Sequence, residues 1–115
     1  ASDGTQGDAL HNIYALLYNR CVYEAAERWS RNGPFLFSRA GWSGSQRYPS
    51  QWGGDPQADW GGLAGNLRSG LSWGLTGAPY YATDVGGFYG DTRDPVLYVR
   101  WIQAAVFSAH MRLHG

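Results

Sequence analysis

The sequence predicts an α/β fold with parallel strands, and three observations carry the prediction. Segments with helical apolar periodicity alternate with short apolar runs. Each run closes on polar residues, and the pieces follow in the order helix, strand, short strand, helix, strand, helix. Alternation of this kind places crossover helices between strands that run the same way. No linker divides the chain, no repeat appears beyond the alternation, and 115 residues are enough for one modest core.

The first expected helix covers residues 8 to 29. Leu10, Ile13, Leu17, Cys21 and Ala25 recur at steps of three or four and make one stripe. Asp8 is placed as its N-cap and Asn32-Gly33-Pro34 as its stop. Cys21, within the stripe, is expected to be buried as packing. Pro34 to Arg39 (PFLFSR) is an apolar run ending in polar residues, suited to a strand buried on both faces of a parallel sheet. Residues 40 to 59 form a glycine-rich loop with a short strand around Tyr48 to Trp52. Trp60 to Leu75 carries Leu63, Leu67 and Leu71 at four-residue spacing and reads as a helix. Its glycines, Gly65, Gly70 and Gly74, each cost about 1 kcal/mol against alanine, so close packing against a neighbour is expected. Gly77 to Asp84 repeats the pattern of the earlier strand. Asp94-Pro95 then starts the last helix, a capping aspartate followed by proline at the first helical position. That helix is expected to run to about His110. Leu97, Tyr98, Trp101, Ile102, Ala105 and Val106 cover more than half its circumference, which calls for partners on two sides.

Composition excludes several function classes. Lys+Arg 9 against Asp+Glu 9 gives zero formal net charge, so there is no electrostatic footprint for nucleic acid or an anionic membrane. The single cysteine excludes an internal disulfide and a multi-cysteine metal site, and tolerates a reducing compartment. No run approaches the roughly 18 apolar residues of a membrane span, and no basic-then-apolar start reads as a signal peptide. His11 and His110 have neither the spacing nor the partners of a metal site, and no cofactor is expected. The chain holds 17 glycines, six tryptophans and eight tyrosines, a composition unlike that of disordered segments. Flat rings and glycine turns suit packing against the C–H faces of a pyranose, and suit an ordinary core equally.

Three polar endings stand out: Ser38-Arg39, Trp52 to Asp55, and Thr83-Asp84. In barrels of alternating strands and helices, chemistry collects where strands end at their carboxyl side. An arginine and two aspartates at successive strand ends therefore form a candidate constellation. Within RYPSQWGGDPQADW (47 to 60), Gly53 and Gly54 permit backbone angles closed to other residues, and Pro56 fixes the exit. Asp55 then has two readings: a turn aspartate bonding nearby amides, or a carboxyl held at a pocket rim beside Trp52. For Arg39 and Asp84 the alternative to a functional role is a structural ion pair between them.

Five motifs stand in order along the chain: DGTQGDALHNIYALLYN (3 to 19), FSRAGWSGSQRYPSQWGGD (37 to 55), LRSGLSWGLTG (67 to 77), YATDVGGF (81 to 88) and HMRLHG (110 to 115). Together they resemble family 31 of the glycoside hydrolases, the α-glucosidase and α-xylosidase family, over nearly the whole chain. The resemblance implies a partial (β/α)8, or TIM, barrel, about helix 4 to helix 7 with three parallel strands. It implies retaining hydrolysis of an α-linked glucoside or xyloside, with Asp55, closing the Trp-x-Gly-Asp motif, as general acid/base. By the same resemblance Arg39 and His114 bind sugar hydroxyls, Trp52 lines the sugar subsite, Phe88 stands near the leaving group, and Asp84 supports the substrate pocket. Gln51 stands where the family often has histidine. The family's nucleophile, an aspartate in a Lys-x-Asp-x-Gly-Glu type motif, has no counterpart here. Asp3 and Asp8 precede the first helix but follow no strand. The expectation is a single segment, residues 1–115, of a catalytic barrel truncated at both ends, whose final strand would follow His114-Gly115. Such a segment is expected to be inactive by itself and to pair with copies of itself or with the missing barrel half. The alternative is a non-catalytic, sugar-binding or self-associating half-barrel.

Overall fold

The computed structural model describes residues 2–48, 50–91 and 93–114. Pro49, inside the strand expected around Tyr48 to Trp52, and Gly115, closing the HMRLHG motif, lie outside the described residues. The elements are α1 (Gly7–Trp29), β1 (Phe37–Ser38), a 3₁₀ turn at Ser45–Arg47, β2 (Ser50–Trp52), α2 (Trp60–Leu75), β3 (Tyr80–Ala82) and α3 (Pro95–Ala105). The strands make one parallel sheet in the order β1-β2-β3, an open sheet rather than a closed barrel. Phe37 and Ser38 pair with Ser50 and Gln51. Ser50, Gln51 and Trp52 pair in turn with Tyr80, Tyr81 and Ala82. Two further parallel bridges join Gln57 to Tyr89 and Asp84 to Arg112, and the Val85 N–H donates to the Arg112 carbonyl at 3.0 Å. The chain beyond α3 therefore takes up a fourth parallel position, earlier than the sequence reading placed the next strand.

The start of α3 follows the expected chemistry. Asp94 Oδ1 accepts from the Val96 and Leu97 amides at 2.9 and 3.1 Å, and Pro95 needs no amide partner. The helix ends at Ala105, however, and not near His110. Phe107 and Ser108 bond to the Ala104 and Ala105 carbonyls, a tightening to i→i+3 pairing that closes the helix. That early end turns the chain back so that Arg112 can reach Asp84. Leu97, Trp101 and Ala105 form the core with Leu63 of α2 and Val85. Val99, Val106 and Phe107 stay exposed, so α3 packs on one side and not on two.

The bounds of α2 agree with the periodicity, and Asp59 caps it by accepting from the Gly62 amide at 2.6 Å. Among its glycines, Gly70 lies against the Tyr81 ring, where a Cβ would come within 2.9 Å of Cδ1. Gly65 and Gly74 face open space, so the expected packing holds for one of the three.

The first helix corrects the sequence reading most. Asp8 is not the cap: Gln6 precedes the helix, and Asp8 sits in the first turn accepting from the Ala9 amide at 3.0 Å. The face turned to the sheet carries Ala15, Leu16, Asn19, Val22, Tyr23 and Ala26, all at least half-buried. At about 100° per residue this face lies opposite the Leu10–Ile13–Leu17–Cys21–Ala25 stripe. Ile13 and Leu17 are accordingly 41% and 40% exposed, and Cys21 is exposed rather than buried. Both faces of α1 are apolar, so periodicity offered two stripes and tertiary packing took the other one. Asn19 is the helix's one fully buried residue, and its amide donates to the Ala40 carbonyl at 2.9 Å. Tyr23 adds a ring contact to Tyr48 at 5.3 Å.

Candidate active site

Parallel strands bring their carboxyl ends to the same edge of a sheet, and here that edge gathers the polar residues. Arg39 follows β1, Trp52 closes β2, Asp55 lies three residues on, Asp84 follows β3, and Arg112 and His114 come from the fourth position. Gly54 makes the turn into Asp55 with φ +87°, left-handed backbone that side chains rarely adopt. Any Cβ there would stand 3.3 Å from the Arg39 guanidinium, so the glycine also admits the arginine.

Two loops hold each other at this edge. The Pro56 carbonyl accepts from the Phe88 amide at 2.8 Å, and the Ala58 amide donates to the Tyr89 carbonyl at 2.8 Å. Gly87, at φ +89°, packs so closely on Ala58 that a Cβ would collide with its backbone. The close approach sets Phe88 beside His114, with the rings stacked at 5.3 Å.

The ion pairs differ from the alternative weighed on sequence grounds. Arg39 and Asp84 do not pair with each other. Arg39 Nη1 meets Asp55 Oδ2 at 3.5 Å, and Arg112 Nε meets Asp84 Oδ1 at 3.5 Å. The Trp52 ring carries both guanidiniums, with Arg39 Cζ 5.0 Å and Arg112 Cζ 5.1 Å from its centroid. Arg112 is the site residue that sequence reasoning missed. It stands inside the quoted HMRLHG motif, and a lone cation two residues before His114 was the available signal. His110 keeps away from the polar edge, packing on Phe37 and Phe35 with Nδ1 3.3 Å from Ser50 Oγ. Among the described residues no group of three His, Cys, Asp or Glu could hold a metal ion.

Asp84 has the least ordinary environment. Its side chain is 0% exposed and, among the described residues, neither oxygen meets a donor at full hydrogen-bond geometry. The buried Trp52 Nε1 lies near enough to favour the charged carboxylate, and the buried Gln51 Oε1 has no partner among the described residues. Burial pushes its carboxyl above the ordinary aspartate range, opposed by the charges of Arg112 and His114 and reinforced by that of Asp55. A carboxyl raised on folding holds its proton more tightly in the folded chain. Its contribution to stability is complete below the unfolded value of about 3.9 and is lost as pH rises through the folded value. Thermal unfolding followed between about pH 4 and pH 8 should therefore show the native chain losing stability relative to Asp84→Asn as pH rises. A difference independent of pH would overturn this account of the buried carboxyl.

An open parallel sheet with carboxyls, guanidiniums and rings gathered at its carboxyl edge defines the class, a segment of a (β/α) barrel. The chain belongs to glycoside hydrolase family 31: residues 1–115 match the family's TIM-barrel domain. The α-xylosidase of Emericella nidulans is 46% identical over 114 residues, which is 98% of this chain and 14% of that protein. The α-glucosidase 2 of Bacillus thermoamyloliquefaciens is 37% identical over 107 residues, 91% of this chain and 13% of that protein. Among solved structures, the cycloalternan-degrading enzyme from Trueperella pyogenes in complex with a covalent intermediate superimposes with a TM-score of 0.89. The identity is 33%, covering 98% of this chain and 15% of that one. The chain thus spans a small part of each relative's length.

Proposed function

We propose that this chain supplies the acid/base part of a retaining α-glycoside hydrolase acting on an α-linked glucoside or xyloside. The observation that carries the reading is Asp55. Its carboxyl is half-buried at the carboxyl edge of β2, beyond a left-handed Gly54, with the Arg39 guanidinium facing it. In the first step Asp55 gives its proton to the glycosidic oxygen as the bond to the leaving group breaks. In the second it takes a proton from water, which then attacks the glycosyl–enzyme bond. In this reading Arg39 and His114 bond sugar hydroxyls, and Trp52 and Phe88 wall the subsite. The covalent intermediate of the cycloalternan-degrading enzyme supports the two-step route, because only a retaining mechanism forms one.

The second carboxyl of a retaining pair stands about 5–5.5 Å from the first. Asp84 is a poor fit for that task, being fully buried and paired with Arg112. The nucleophile is therefore assigned to a segment outside these 115 residues, within a barrel of which they form part. The test joins the chain to a segment bearing the Lys-x-Asp-x-Gly-Glu type motif and measures release from aryl α-glucosides and α-xylosides. A folded assembly that cleaves neither would sink the reading. By itself the chain is proposed to associate with further copies, because the outer stripe of α1 and the outer side of α3 lie bare.

A further inference from the structure

An acid/base role for Asp55 leaves the buried Asp84 unexplained. The contacts around it form a line. Asp84 Oδ1 faces Arg112 Nε at 3.5 Å, and the Arg112 guanidinium lies 5.1 Å from the Trp52 ring centroid and 5.4 Å from that of Phe37. The Arg39 guanidinium lies 5.0 Å from the same Trp52 ring, and its Nη1 faces Asp55 Oδ2 at 3.5 Å. The indole Nε1 is buried and, among the described residues, meets no acceptor at full hydrogen-bond geometry. It lies near enough to the Asp84 carboxyl to favour its charged form, so that carboxyl and the ring contacts together orient Trp52. Arg39 is more than half exposed, and an exposed ion pair alone restrains a long side chain weakly. A ring beneath the guanidinium supplies the second anchor that the ion pair lacks.

We propose that Asp84 and Arg112 are positioning residues for the acid/base carboxyl. Asp84 fixes Arg112, Arg112 fixes the Trp52 ring, and the ring fixes the Arg39 guanidinium that faces Asp55. The anchored end of the line is the dry one. There a buried carboxylate cannot give up its cation without being left uncompensated, so Arg112 has one stable place. The wet end is where substrate arrives. Arginine suits both cation positions because its planar group stacks on a ring while its charge faces a carboxylate, which a lysine ammonium does not reproduce. The catalytic consequence rests on the acid/base reading of Asp55, whereas the line of contacts does not.

The test therefore has two arms. In the ¹⁵N-labelled chain, the Trp52 indole N–H and the Arg39 Nε–H signals are compared in native, Asp84→Asn and Arg112→Lys forms. Both variants should move the Trp52 signal and increase the mobility of Arg39, and Arg112→Lys keeps the charge, so it guards against simple unfolding. Unchanged Trp52 and Arg39 signals in a folded variant overturn the proposal. In the chain joined to a nucleophile-bearing segment, Asp84→Asn and Arg39→Lys are combined in a double-mutant cycle. Each should lower kcat by roughly tenfold, Asp84→Asn with KM changed less than about threefold and Arg39→Lys with KM raised as well, because Arg39 also bonds sugar hydroxyls. The double variant should keep kcat within about threefold of the worse single one. Losses that multiply overturn the line, since residues acting separately add in free energy. Asp55→Asn is measured beside them: full activity there refutes the acid/base reading alone, and the labelled-chain result still decides the positioning.

Discussion

Asp55→Asn is expected to lower hydrolysis of an α-glycoside with a poor leaving group by about 10²–10⁴-fold in the assembled enzyme. The loss should be far smaller for an activated aryl glycoside, whose leaving oxygen departs without a proton. The contrast follows from the task assigned to Asp55: asparagine keeps the shape of the carboxyl but has no proton to give. Arg39 stays beside it in the native chain at 3.5 Å, so loss of the ion pair is part of the substitution too. With Arg39 more than half exposed, that pair is worth about 0–1 kcal/mol in stability, too little to explain a hundredfold fall in rate. The measurement is kcat/KM on a pair of substrates differing only in leaving group. Equal losses on both would point to misfolding, and no loss on the poor leaving group would remove Asp55 from the mechanism.

A polypeptide of these 115 residues alone is expected to cleave no glycoside and to run as an assembly of copies. Short strands make blunt edges, so edge pairing is the smaller drive here. The larger one is apolar surface. Leu75 and Phe107 are each 92% exposed, and Ile13, Tyr14, Leu17 and Tyr18 lie open along α1. Patches of this extent find partners. Two copies would bring two Asp55 carboxyls and no motif for a nucleophile, so association would not restore the retaining mechanism. Sedimentation at tens of micromolar and a fluorogenic α-glycoside assay check both parts. A monomer refutes the association, and turnover that disappears in Asp55→Asn refutes the inactivity.

Local chemistry was legible where one segment decides its own conformation. The bounds of α2 follow from leucine spacing, and the start of α3 follows from Asp94 and Pro95. The strand ends could be read as polar terminations of apolar runs, and the parallel order as the alternation of elements. What could not be read depends on which elements meet. The packed face of α1 was hidden because its two faces are alike in hydrophobicity. The pairing of Arg39 with Asp55 and of Asp84 with Arg112 was hidden because partners across strand ends are set by sheet order and register. Arg112 went unseen for the same reason, since its value comes from a bridge to a residue remote in sequence.

The parallel ladder carries a consequence for how the chain reaches this state. Each rung closes a loop before it gains a contact, and the cost of closure rises by about 0.6 kcal/mol for each doubling of length. The rung Phe37↔Ser50 closes the shortest stretch, while Ser50↔Tyr80 and Asp84↔Arg112 close stretches roughly twice as long. Folding is thereby biased towards β1–β2 first, and that step alone brings Arg39 and Asp55 to one edge. The Asp84–Arg112 anchor closes later, around a pair already in place. Kinetic analysis of conservative substitutions reads this directly: higher φ-values at Leu36 and Phe37 than at Val85 and Arg112 support the order, and the reverse contradicts it. The half of the site proposed to do the chemistry is then the half that forms early.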